Sequence, residues 1–141
     1  MKVKITTDKA PAAIGPYSQA IDAGPLIFLS GQLPLDMSGA ISGQDIESQT
    51  KQAFSNISAI LAAAELTLAH VVKCQVFMTN LGDFSRMNAV YEATFKPFGS
   101  YPARTTVQAG ALPKGALIEI DVVAAKELVC KKWTKEKDKE K

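Results

Sequence analysis

The chain has 141 residues, 47% of them hydrophobic and 21% charged, with a formal net charge of +2. That balance suits one globular domain long enough to bury a real core. Residues 131–141 hold six of the 16 basic side chains and three of the 14 acidic ones, leaving residues 1–130 with ten basic and eleven acidic groups. A body of that sign lacks the basic stripe of a nucleic-acid surface. No apolar run reaches membrane-spanning length, and Lys2, Lys4, Asp8 and Lys9 spoil any secretory pattern, so a cytoplasmic protein is expected. Cys74 and Cys130 could form one disulfide, but two thiols so far apart in sequence fit a reducing compartment better.

Taken in order, Lys2 to Thr7 alternates and predicts an edge strand, and Ala10 to Pro16 an ordered loop. Tyr17 to Ala23 and Leu26 to Ser30 predict a hairpin around Gly24-Pro25. The continuous run Leu26-Ile27-Phe28-Leu29 predicts a strand covered on both faces. Gly31 to Gly43 is a loop with turn chemistry at Asp36 to Gly39. Asp45 then reads as the N-cap of a helix, with Glu47 in the first turn where the dipole favours it. Its apolar face is Ile46, Thr50, Ala53, Phe54, Ile57, Ile60, Leu61 and Ala64. Val71 to Thr79 predicts a central strand, with Cys74 as a small buried hydrophobe. Asp83 is expected to cap a second helix whose inner face is Phe84, Met87, Tyr91, Thr94 and Phe95, and Pro97 and Gly99 end it.

Two further strand-forming runs, Arg104 to Ala109 and Ala116 to Ala124, flank a Gly/Pro-punctuated connection and predict a closing hairpin. In a suitable register Arg104 lies opposite Glu119 on one face. That juxtaposition is either a buried ion pair or a site for a small polar ligand. The order β, β-β, α, β, α, β-β predicts an α+β sandwich, a mixed sheet with two helices on one face. The other face, for which Phe28, Val76, Val107 and Ile120 are candidates, needs cover, so the chain is expected to oligomerise. Residues 1–125 form the domain and 126–141 a lysine-rich tail in which Trp133 is the largest apolar group.

No metal site is expected, because His70 is the sole histidine and the cysteines are not clustered. Neither a nucleophile elbow nor a phosphate-cradling glycine loop is present. Asn56-Ile57-Ser58 matches a glycosylation acceptor but falls on the first helix. What remains is a sparse polar set in an apolar framework: Tyr17, Ser30, Asn88, Arg104 and Glu119. Singly, each has an ordinary structural explanation, Asn88 as a solvent-facing helix residue among them.

Together, however, Gly15-Pro16-Tyr17-Ser18-Gln19-Ala20, Ser30-Gly31-Gln32, Asn88 before Tyr91-Glu92, Pro102-Ala103-Arg104 and Ile118-Glu119-Ile120 resemble the Rid/YjgF family of enamine/imine deaminases. The resemblance spans residues 3 to 125, and Arg104 places it nearest the branch with imine deaminase activity, that of RidA-like proteins. It implies a chorismate-mutase-like fold, a homotrimer with clefts between subunits, and no cofactor. It implies small 2-imino acid substrates such as 2-iminobutanoate and 2-iminopropanoate, made by pyridoxal-phosphate dehydratases and hydrolysed to 2-oxo acids and ammonia. Carried over, Arg104 would clamp the substrate carboxylate and Glu119 would activate the attacking water. Tyr17, Ser30 and Asn88 would line the cleft, Asn88 from a neighbouring subunit, and the Thr106 N–H would add a contact to the carboxylate. Many relatives carry cysteine where this chain has Thr106. Two other roles attach to the resemblance: an RNA-directed ribonuclease or translation inhibitor, and a non-catalytic carboxylate binder or holdase. The first finds support only in the lysine-rich tail.

Overall fold

A computed structural model describes residues 2–127. Six strands form one mixed sheet, and two α-helices pack on one face of it, giving the expected α+β architecture. The strands are β1 (Val3–Ile5), β2 (Ala20–Asp22), β3 (Leu26–Leu29), β4 (Val71–Met78), β5 (Ala103–Gln108) and β6 (Ile118–Ala125). Their spatial order is β1-β2-β3-β6-β4-β5. The helices are α1 (Ile46–Ala63) and α2 (Phe84–Phe95).

Helix α1 follows its sequence period. Asp45 accepts from the Ser48 N–H at 2.7 Å, and Ile46, Ala53, Phe54, Ile57, Ile60 and Leu61 are buried against the sheet and α2. Asp83 stands at the N-cap of α2 but makes no side-chain cap bond. Its carboxylate instead lies 3.6 Å from Arg86, which also pairs with Glu47 and so ties the two helices together. Gly99, at φ 94°, ends the short 3-10 turn after α2 in a conformation that favours glycine.

Two buried amides of α1 fasten the loops above it. Asn56 Nδ2 donates to the carbonyls of Leu33 (3.1 Å) and Leu35 (2.9 Å), so the acceptor-like tripeptide there is inaccessible. Gln49 donates to Gly43 O and accepts from the Leu117 N–H. Gln19 does the same for the N-terminal loop through Thr7 and Pro11. Nothing in the periodicity marks these three amides, because they bond backbone N–H and C=O groups of loops rather than form a face.

The closing hairpin does not form. β5 pairs in parallel with β4, while β6 lies between β3 and β4, antiparallel to both. The reason is the helix that precedes β5: β4-α2-β5 is a crossover unit, which returns the chain parallel to the strand it left. A second correction concerns the uncovered face. Val76 and Ile120 are fully buried beneath the helices, whereas Phe28 and Val107 are 47% and 41% exposed on the other side. The β3 run is likewise covered on one face only, with Ile27 and Leu29 inward and Leu26 and Phe28 outward. Residues 128–141 of the expected tail, Trp133 among them, and any Cys74–Cys130 bridge lie outside the described residues.

Candidate functional site

β5 is the last strand of the sheet, so its far side is open. Arg104 registers with Cys74 and Thr106 with Val76. Cys74 and Val76 point into the helix-covered core, so Arg104 and Thr106 project to that same face, at its rim. Helix α2 supplies the surroundings. Asn88 Oδ1 accepts from Arg104 Nη1 at 2.7 Å, rather than facing solvent. The guanidinium carbon lies 4.5 Å from the ring centre of Tyr91 and 5.5 Å from that of Phe84. A cleft of about 440 Å³ opens here, lined by Asn88, Tyr91, Glu92, Tyr101, Pro102 and Arg104.

Among the described residues, no carboxylate forms a salt bridge with Arg104. A planar fork with donors to spare, set in a cleft, suits two parallel hydrogen bonds to a carboxylate. The amide of Thr106 is well placed beside it. Ala109 donates its N–H to Met78 O at 2.7 Å, and along a parallel strand alternate amides turn the same way. Those of Thr105 and Val107 therefore face β4, and those of Arg104 and Thr106 face the open edge. The Thr106 hydroxyl is buried without a partner.

Glu119 occupies different ground. It registers with Phe77, which in turn registers with Val107, and all three lie on the face away from the helices. Beside it, Gln32 and Ile120 exchange two backbone hydrogen bonds, at 2.7 and 3.1 Å. Phe28 pairs with Val123 and Gln32 with Ile120, so four steps on one strand oppose three on the other. The extra residue is a bulge. It lays Gly31 against the Glu119 carboxylate so closely that an added Cβ would stand 2.7 Å from Oε1. Any larger residue there would have to displace the Glu119 side chain. Burial, and secondarily the charge of Asp121, raise the Glu119 carboxyl above the usual glutamate range. Burial raises Asp121 as well.

Tyr17 and Ser30 belong with Glu119. Tyr17 and Gly31 share a small cleft of about 40 Å³. The Tyr17 hydroxyl accepts from the Ile14 N–H at 3.3 Å, and the ring is half exposed. Ser30 donates its hydroxyl to Ser18 O at 2.6 Å, holding the entry to the bulge.

The expected polar set thus divides in two. Arg104, Asn88 and Thr106 gather at the helix side of the β5 edge, and Glu119, Tyr17 and Ser30 at the opposite face. With β4 between their strands, Arg104 and Glu119 are separated by two strand spacings, about 10 Å, and by the thickness of the sheet. They are neither an ion pair nor, within one chain, the two walls of a single small site. Sequence reasoning missed Tyr91 and Phe84 as neighbours of Arg104. The signal was there, since residues 84, 88 and 91 recur on one helical face.

A family model described as Endoribonuclease L-PSP matches residues 7–126. Protein DfrA of Myxococcus xanthus is 50% identical over 123 residues, 85% of this chain and 92% of the relative. The 2-iminobutanoate/2-iminopropanoate deaminase of Salmonella typhimurium is 41% identical over 127 residues, 89% of this chain and 99% of the enzyme. The crystal structure of a conserved Rid-family protein from Yersinia pestis superposes with a TM-score of 0.85 at 45% identity, covering 89% of this chain and 99% of that one. With a family model matching residues 7–126, relatives 41% and 50% identical over most of the chain, and a shared fold, the chain belongs to the Rid/YjgF family.

Proposed function

We propose that this protein is a cytoplasmic, cofactor-independent deaminase of small 2-imino acids, 2-iminobutanoate and 2-iminopropanoate among them. The observation that supports this reading most is Arg104: a guanidinium in a cleft, anchored by an amide oxygen and two aromatic faces and left with donors to spare. It would take the substrate carboxylate in two parallel hydrogen bonds, with the Thr106 N–H adding a third. Glu119 would take a proton from water as the oxygen adds to the C=N carbon, and its raised pKa suits a base working nearer neutrality. Returned to nitrogen, that proton completes the carbinolamine; Glu119 would then pass the hydroxyl proton to the amine, so that ammonia leaves as the C=O bond forms. Imine and water are consumed, and oxo acid and ammonia released. An imine hydrolyses unaided, so orientation and one base suffice.

Because the two groups lie on opposite faces, the reading requires two copies of the chain. The open β5 edge of one would meet the Glu119 face of the next, as in a ring of three. Tyr17 and Ser30 would then come from the same copy as Glu119, and Asn88 and Arg104 from its neighbour. A cyclic arrangement would also cover Phe28 and Val107.

The test is a coupled assay in which a threonine dehydratase generates 2-iminobutanoate and ammonia release is followed. Wild-type protein should accelerate it, and Arg104→Ala should return the rate to that of buffer. Full activity in Arg104→Ala would remove the guanidinium from the reaction. The separation of Arg104 from Glu119 favours a second reading, a non-catalytic carboxylate binder. Equal decay with and without wild-type protein would select it.

A further inference from the structure

We infer that Tyr91 is a positioning residue for Arg104: its ring face, and not its hydroxyl, holds the guanidinium in the orientation that receives a carboxylate. The inference rests on the proposed role of Arg104 as anion anchor.

A half-buried cation ordinarily needs an acid beside it. Here that acid would compete with the ligand, since each carboxylate offers the same oxygens to the same fork. An aromatic face attracts the cation without occupying its in-plane donors, so anchoring and ligand binding use different sides of one group. Three residues of α2 divide the work. Asn88 takes one N–H at 2.7 Å, Tyr91 lies at 4.5 Å and Phe84 at 5.5 Å. Residues 84, 88 and 91 fall on one stripe of the helix, so α2 forms a tray under the guanidinium.

The two rings are not equivalent. Phe84 is 37% exposed at the first turn of α2, whereas Tyr91 is 5% exposed. Tyr91 is also locked by its neighbours, edge-on to Phe54 at 5.8 Å and tilted against Phe95 at 4.8 Å. Rigidity therefore passes from the core aromatic cluster to Arg104 through Tyr91. The hydroxyl contributes nothing to this. It is turned toward the buried Cys74 thiol and forms no hydrogen bond of normal geometry. A buried hydroxyl without a partner costs stability, so phenylalanine should serve as well.

The chain has only two arginines, Arg86 and Arg104, so the Nε–H signals of both can be followed by 15N relaxation, with Arg86 as internal control. Arg104 should be ordered in wild type and in Tyr91→Phe, and mobile in Tyr91→Leu, with Arg86 unchanged in all three. Equal ordering of Arg104 in Tyr91→Leu would overturn the inference. So would lost ordering in Tyr91→Phe. Should Tyr91→Leu fail to fold, Phe84→Leu gives the graded case: a smaller loss of Arg104 ordering supports the inference, and a loss as complete as that from Asn88→Ala contradicts it.

The second readout is the affinity for 2-oxobutanoate compared with its uncharged amide. Tyr91→Leu should weaken the acid on the order of ten-fold, the worth of one cation–π contact, and leave the amide unchanged. Equal weakening of both would mark a general structural role. If wild type binds neither while Arg104 ordering behaves as stated, the functional reading fails and the positioning inference survives.

Discussion

The two faces of the sheet use the same strands to opposite ends. On the helix side, Cys74, Val76, Met78, Ile118, Ile120 and Val122 are fully buried, and the one charge in their rows, Arg104, stands at the rim where cover ends. The other face carries Phe28 and Val107 exposed, with Glu119 beside Phe77 and Asp121 beside Gln75. One residue of alternation separates a finished core from a surface that still lacks a partner. The lesson is that the candidate chemistry is divided along the same line as the packing.

The largest effect expected from breaking this division is Arg104→Ala, which should abolish accelerated ammonia release. Next comes a core truncation. Ile120→Ala should cost about 2–5 kcal/mol in denaturant unfolding, as for other buried Ile to Ala changes, whereas Val107→Ala on the open face should cost well under half of that. Equal costs would mean that Val107 is packed as tightly as Ile120, whether within the chain or against a neighbouring copy. Phe28→Asp should then leave the fold intact by circular dichroism while lowering the mass seen by sedimentation. An unchanged mass would place Phe28 outside any interface.

The smallest effect on stability concerns Glu119. Its carboxyl is raised by burial and by Asp121, so folding favours the protonated form. That contribution is complete at acid pH and is lost as pH rises through the folded-state value, where the charge must be buried. Glu119→Gln should therefore raise the unfolding midpoint at neutral pH, and the gain should vanish in acid. The same variant should bind 2-oxobutanoate but turn over slowly. In wild type, kcat/KM should fall with decreasing pH through a value above the ordinary glutamate range. A stability loss in Glu119→Gln at neutral pH would contradict the burial assigned to the carboxylate.

Much of this was legible in advance. The period of α1, its Asp45 cap, the buried Cys74 and the Gly24-Pro25 hairpin all follow from local patterns. So did the polar residues, because a lone charge among apolar neighbours stands out. Their grouping did not. Arg104 and Glu119 were set opposite one another because their strands are neighbours in sequence, yet α2 ahead of β5 sends that strand to the far side of β4. The face assignments of Val76 and Ile120 failed for a related reason: alternation says which residues share a face, not which face the helices cover. The contact between Gly31 and Glu119 depends on a bulge, which no pattern in Ser30-Gly31-Gln32 announces.

The central claim is that Arg104 and Glu119 act on one ligand only across a boundary between two copies. The direct measurement mixes Arg104→Ala and Glu119→Gln chains in equal amounts, unfolds and refolds them together, and assays imine hydrolysis. In a ring with random assortment, about a quarter of the sites pair an intact Arg104 with an intact Glu119, so the account predicts about that fraction of wild-type activity from two nearly inactive parents. Activity no greater than the average of the parents would contradict it.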